Sequence, residues 1–142
     1  MFFRQFTAKE DLLDDIATDE IHTLISHAMP LFQSEGEESG LLQMCEYVKA
    51  HRTLWKTLLT AGASAAMREE FVNIANEIVR TRGRANPWLP TDLAAPFVIS
   101  GIFEILAWWL RQPEDYPIGN VVKFLDALVV RSTAYPVDIK FD

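Results

Sequence analysis

The chain predicts an all-α fold: a single domain of five or six helices. Two observations point there. Apolar residues recur at three- and four-residue intervals along most of the chain, the spacing of one helix face, and no stretch carries the alternation and turn chemistry of a strand hairpin. A third feature organises the rest. Residues 93–110, LAAPFVISGIFEILAWWL, are too apolar for an ordinary surface helix, which has one apolar stripe and a charged opposite face. Such a helix needs cover on several sides.

The elements follow in order. Thr7 and Glu10 form a capping-box pattern, and a helix follows on Leu12, Leu13, Ile16, Ile21, Leu24, Ile25, Ala28 and Met29, to be ended or kinked by Pro30. Residues 33–40, QSEGEESG, read as an acidic loop with two glycines. The next helix spans about 41–59, with Leu41, Met44, Cys45, Val48, Leu54, Trp55, Leu58 and Leu59 apolar. Its polar middle, Lys49 to Thr53, is out of phase and predicts a bend or two shorter helices. Ser64 is a candidate N-cap for a helix over 65–82, whose apolar face is Met67, Phe71, Ile74, Ala75, Ile78 and Val79. Arg68, Glu69, Glu70, Asn73 and Glu77 fall on its polar side. A loop, 83–90, precedes the apolar helix, whose Pro96 lies near the first turn, where proline costs least. Pro113 ends that helix and Pro117 opens the last one, 118–133, striped by Ile118, Val121, Val122, Leu125, Leu128 and Val129 and widened by Phe124. Residues 134–142 alternate Val137, Ile139 and Phe141 with polar side chains, as a short extended arm or a frayed end.

Composition narrows the function. The 142 residues are 49% hydrophobic and 23% charged with a net charge of −7, so a folded core is expected. A chain this acidic is a poor polyanion binder on its own, because affinity for nucleic acid comes mainly from Lys and Arg on phosphates. One cysteine, Cys45, excludes an internal disulfide framework, and the N-terminus has no signal-peptide pattern; a cytoplasmic protein is expected. A membrane span over 93–110 is disfavoured. Glu104 near the bilayer centre would cost about 2.5–3.5 kcal/mol or more, and Pro96, Ser100 and Gly101 weaken the segment further.

Little catalytic chemistry is available. His22 and His27 are off the spacing of a helical metal pair, His51 stands apart, and there is no CxxC, GxSxG, phosphate loop or dinucleotide fingerprint. Glu37 and Glu38 read as solvated charges. Neither an enzyme nor a cofactor nor a metal site is expected. What remains is apolar and aromatic. Met44, Tyr47, Trp55, Phe71, Ile74, Ile78 and Phe103 either fill the core or line a cavity between helices, the usual place for a small molecule in a bundle. Ser100 and Glu104, one turn apart, are either a solvent strip or polar groups aimed into that cavity. Wound as a helix, 93–110 places Leu93, Phe97, Gly101, Ile105 and Trp108 on one side and Val98, Ile102, Leu106 and Trp109 on another. One side packs on the subunit. The other, with Val121, Phe124, Leu125 and Leu128 of the last helix, would cover its counterpart across a two-fold axis, where Gly101 would permit close helix approach.

These segments resemble a known family. FFRQFTAKEDLL at the start resembles the junction in tetracycline-repressor-type (TetR family) regulators where the DNA-recognition helix ends and the next helix begins. Phe2, Phe6, Lys9, Glu10 and Leu12 match that pattern; Phe3, Gln5 and Ala8 stand where the family has tyrosine, histidine and Ser/Thr. YVKAHRTLWKTLL (47–59) resembles the family's "HRxLYRxLL" helix, and FVISGIFEILAWWL (97–110) with the following helix resembles its last two. The resemblance implies a remnant of the recognition helix over 1–6, an effector-binding and dimerisation domain over 7–135 and a tail over 136–142. It implies a homodimer built as a four-helix interface from the last two helices, a small and largely apolar effector, and DNA contact only through a missing N-terminal helix-turn-helix. Of the family's phosphate-holding positions only Lys9 carries over. The rival expectation is a stand-alone helical sensor or protein-interaction module without DNA binding.

Overall fold

The computed structural model describes residues 8–34, 37–60, 64–82, 86–134 and 136–142, with side-chain environments for 12–26, 39–60, 65–77, 80, 86–133 and 136–142. It is all-helical, with no strand among the described residues. The order is α1 (Ala8–Ser34), α2 (Glu37–Ala50), α3 (Arg52–Thr60), α4 (Ser64–Arg82), α5 (Thr91–Leu110) and α6 (Ile118–Leu125). A π-helical turn (Asp126–Val130) and a short α7 (Arg131–Ala134) continue α6.

Packing follows the stripes. Ala17, Ile21 and Leu24 of α1 are buried against the neighbouring α2 and α4, while Leu12 is 61% exposed. Leu41, Met44, Cys45 and Val48 form the inward face of α2, and Trp55 and Leu58 that of α3. From α5 come Ile99, Ile102, Phe103, Leu106, Trp109 and Leu110, and from the last helix Val121, Val122, Leu125 and Val129. These residues make one continuous core.

Three boundaries differ from expectation. First, α1 does not end at Pro30 but continues to Ser34. Proline removes a backbone N–H and costs about 3 kcal/mol inside a helix, yet tertiary cover routinely outweighs local propensity, and α1 lies along both α2 and α4. Second, most of the expected loop 33–40 is helical, because α2 already starts at Glu37. Two acidic side chains in a first turn suit the positive N-terminal pole of a helix. Third, the last helix contains the π turn. The Arg131 N–H bonds back to the Asp126 carbonyl, five residues earlier, and this winding stacks residues five apart, so that Arg131 Nε reaches Asp126 Oδ2 at 2.8 Å. The expected break within 41–59 is present: α2 and α3 are separate helices that meet at His51. Ser64 lies inside α4. Thr7 lies outside the described residues, as do the side chains of Lys9, Glu10 and Ile78, which stand on α1 and α4.

Two polar devices fix the ends of α5. Arg52 Nη2 donates to the carbonyls of Leu110 at 2.9 Å and Gln112 at 2.7 Å. It thereby places a cation at the negative pole of the helix and satisfies carbonyls that have no partner within it. Charge-assisted hydrogen bonds of this kind contribute about 1.5–3 kcal/mol. Arg52→Ala is therefore expected to lower stability by about that amount in urea unfolding, and Arg52→Lys by less, since the ammonium keeps the cation and has three N–H donors for the carbonyls that Nη2 serves. An unchanged midpoint for Arg52→Ala would remove this cap from the account. Ahead of α5, Asn86 is the one buried polar residue among the described residues; its Nδ2 donates to the Thr133 carbonyl, and its Oδ1 accepts from Val137 N at 2.7 Å. Trp88 Nε1 donates to the Val137 carbonyl at 2.8 Å, and the Trp88 and Phe141 rings lie 5.7 Å apart. The tail over 136–142 is thus an irregular arm seated on the segment before α5.

Of the described helices, α5 alone is long and apolar enough to cross a membrane. Its most apolar face lies in the core of the bundle, and Glu104 is exposed on another side.

Candidate functional site

The α4–α5 seam carries a cleft in which charge, hydrogen bonding and apolar surface meet. Arg68, Glu69, Val72 and Asn73 of α4 line one side of it. Pro96 and Ile99 of α5 line the other, around a volume of about 290 Å³. The spacing accounts for the walls: residues four apart share one face of α4, and residues three apart share one face of α5. At the edge, Arg68 Nη1 donates to Ser100 Oγ at 2.5 Å, and the guanidinium carbon sits 5.1 Å from the centroid of the Phe103 ring. A planar guanidinium over an aromatic face is a favourable cation–π arrangement. The side chain is therefore held from two directions.

A second polar cluster joins α1, α2 and α3. The Glu20 carboxylate accepts from the Tyr47 hydroxyl at 3.0 and 3.1 Å and from Trp55 Nε1 at 3.2 Å. The His51 ring packs 4.3 Å from Tyr47. Desolvation, then the hydrogen bond to Glu20 and its charge, push the Tyr47 hydroxyl up to about 12. Burial, and then the charge of Glu46, push the Cys45 thiol up to about 12 as well. Both folded-state values lie above the ordinary 10.0 and 9.0. The stabilisation tied to their protonated forms is thus complete below the ordinary values and is lost as pH rises from there through about 12. The expected result is a tyrosine absorbance titration with one late component, and a Cys45 that reacts with a disulfide reagent only after denaturant is added. Rapid reaction of the native protein near neutral pH would contradict the burial of Cys45.

The structure divides the expected site residues. Ser100 and Phe103 meet at the seam. Met44 and Trp55 do not line open space: they are 4% and 0% exposed, and the Trp55 N–H already has its acceptor in Glu20. Tyr47 is held by the same carboxylate. Phe71 and Ile74 are half-buried on α4, with Phe71 packed on the core. Glu104 is corrected to a solvent position, since it is exposed and lies outside the cleft lining. Sequence reasoning missed Arg68, Asn73, Pro96 and Ile99. Arg68 and Asn73 had been grouped with the charged side of α4; the available signal was that Arg68 and Val72, four apart, straddle the edge between that side and the apolar one.

The expected subunit interface divides as well. On the outer side of α5 and α6, Leu93 and Phe97 are 54% and 51% exposed, and Phe124 and Leu128 are 38% and 62% exposed. Ile105 and Trp108 are half-buried, the Trp108 ring meeting Tyr116 and Phe124 edge-on at 5.3 and 5.8 Å. Val121 and Leu125 are corrected to the subunit's own core, where both are 0% exposed. Gly101 is corrected too, because its close approach is internal: a Cβ there would lie 2.9 Å from Val129 Cγ2 of the same chain. No group of three or more His, Cys, Asp or Glu among the described residues is arranged to hold a metal ion.

Comparison with family models, curated proteins and solved structures gave no match to this chain.

Proposed function

We propose that this chain is the small-molecule-sensing and dimerisation domain of a TetR-like transcriptional regulator. A small, largely apolar effector bound between the helices would shift the relation of two subunits and so control DNA binding in the intact, cytoplasmic protein. The observation that carries this reading is the outer side of α5 and α6. Leu93 and Phe97 of α5, Phe124 of α6 and Leu128 of the π turn stand exposed, with Ile105 half-buried and Trp108 packed edge-on against Phe124. Burial is worth about 1.5–3 kcal/mol for each fully covered side chain. These side chains are 38–62% exposed, so covering each is worth about half of that, and eight across two copies give roughly 6–12 kcal/mol, of the same order as an association cost of about 4–15 kcal/mol. The resemblance of 2–12, 47–59 and 97–110 to the family's segments supplies the regulatory context. The mechanism is a population shift: the effector favours one arrangement of the two subunits by its differential affinity, and the spacing of two recognition helices on operator half-sites changes with it.

Sedimentation tests the dimer. The wild-type chain is expected to be dimeric at micromolar concentration and Phe97→Asp monomeric. Phe97 is the better position for the charge because it is 51% exposed, so its loss leaves the subunit's core intact; Trp108 also packs on Tyr116 and Phe124. A monomeric wild type would sink the proposal. The 142-residue chain alone is expected to show no specific operator binding, and tight binding in a low-salt titration would count equally against this reading.

A further inference from the structure

We propose that the α4–α5 cleft takes an amphiphilic carboxylate, its anionic head on the Arg68 guanidinium and its apolar tail along Val72, Pro96 and Ile99. This rests on the effector-binding reading above and specifies the chemistry of the effector. Among the described residues no carboxylate stands within ion-pair distance of Arg68. Its one hydrogen bond goes to a neutral hydroxyl, Ser100 Oγ. A guanidinium carries several N–H donors in a planar fork suited to a carboxylate, so most of that capacity is open. The fork is also pre-set. Ser100 holds one edge and the Phe103 ring supports one face, which lowers the ordering cost that a free surface arginine would bear on binding.

The rest of the lining selects the tail. Val72 and Pro96, with the buried Ile99 beneath them, offer apolar surface that a bare inorganic anion would leave unused. Asn73 adds an amide donor beside it. Glu69 also lines the cleft, on the exposed side of α4, where water and salt screen its repulsion. Against a net charge of −7 the ligand is not steered by the overall field. It is held by local pairing, so preference for the anion should weaken as ionic strength rises.

Isothermal titration of the full chain with octanoate and with octanamide, its neutral counterpart, tests the proposal. Wild type is expected to bind octanoate roughly tenfold or more tightly than octanamide, the ratio given by a charge-assisted hydrogen bond. Arg68→Gln is expected to bring the ratio close to unity, and Ser100→Ala to reduce it part of the way. Circular dichroism checks that the variants are folded. Should Arg68→Gln fail to fold, the fall of the wild-type ratio with added salt decides in its place. Equal binding of the two probes, or an octanoate affinity unchanged in folded Arg68→Gln, would overturn the proposal yet leave the effector-binding reading standing. Binding of neither probe overturns it too, while a monomeric wild type defeats the broader reading separately.

Discussion

Trp109→Ala is expected to cost about 3–5 kcal/mol of folding stability, the range for removing a large aromatic side chain from a core. Trp109 is 1% exposed and is, with Trp55, the largest fully buried side chain. It projects from α5 into the core that α2, α3 and α6 also enclose. Only part of the space it leaves could be refilled, because core residues such as Leu106, Leu110, Val121 and Leu125 are themselves fully buried and cores are close-packed. A domain of this size has a total stability of about 5–15 kcal/mol, so the loss is a large fraction of the whole. The check is urea denaturation: a large drop in midpoint with an unchanged slope, since the surface exposed on unfolding is nearly the same. Trp108→Ala provides the contrast. That side chain is half-buried, and its loss should be milder in the isolated subunit. Equal losses at the two positions would mean that α5 does not face the core in the way described.

Gly101 yields the second large effect, and its sign depends on the neighbour. Within a helix, glycine to alanine is intrinsically favourable by about 1 kcal/mol. Here a Cβ would meet Val129 Cγ2 at 2.9 Å, closer than carbon atoms sit, and overpacking costs about 1–3 kcal/mol. Gly101→Ala should therefore be neutral to moderately destabilising. Gly101→Val places further methyl groups in the same spot and is expected to lose about 3 kcal/mol, at the upper end of that range. Truncating the neighbour reverses the outcome: in a Val129→Ala background, Gly101→Ala should become stabilising by about its propensity gain. A double-mutant cycle by thermal or urea unfolding measures the coupling. Additive effects would show that the contact between α5 and the π turn is not as close as 2.9 Å.

The legible parts of the sequence were those with a period. The faces of α5 came through except at Gly101, with Ile102, Leu106 and Trp109 inward and Leu93 and Phe97 outward. So did the break beside His51, where polar residues interrupt the phase. Where two local signals compete the sequence is mute. Pro30 argues for an end, but packing on neighbouring helices is stronger. Glu37 and Glu38 look like solvated loop charges and serve equally well in a first turn. A π turn has no composition of its own, and residues 118–133 read as one plain stripe. At the candidate site, Ser100 and Phe103 were identifiable because they stand out on a helix of known phase. Their partner Arg68 lies some thirty residues earlier in the chain, and helical period alone does not say which α4 residue faces which α5 residue. Glu104 failed for a related reason: one polar residue on an apolar helix marks a wet side or a functional side, and only the neighbouring helices decide.

The π turn also sets a reading frame for the end of the chain. It accommodates one residue more than an α-helix would over the same hydrogen-bonded length. Removing that surplus, for instance by deleting the exposed Ala127, would let α6 and α7 run on as a single α-helix. Everything beyond would then turn by about 100° about the helix axis and draw back by about 1.5 Å. Thr133 would leave the Asn86 amide, and Val137 would miss both Asn86 and the Trp88 indole. The seat of the C-terminal arm is therefore governed by the length of the last helix as much as by the residues that touch it.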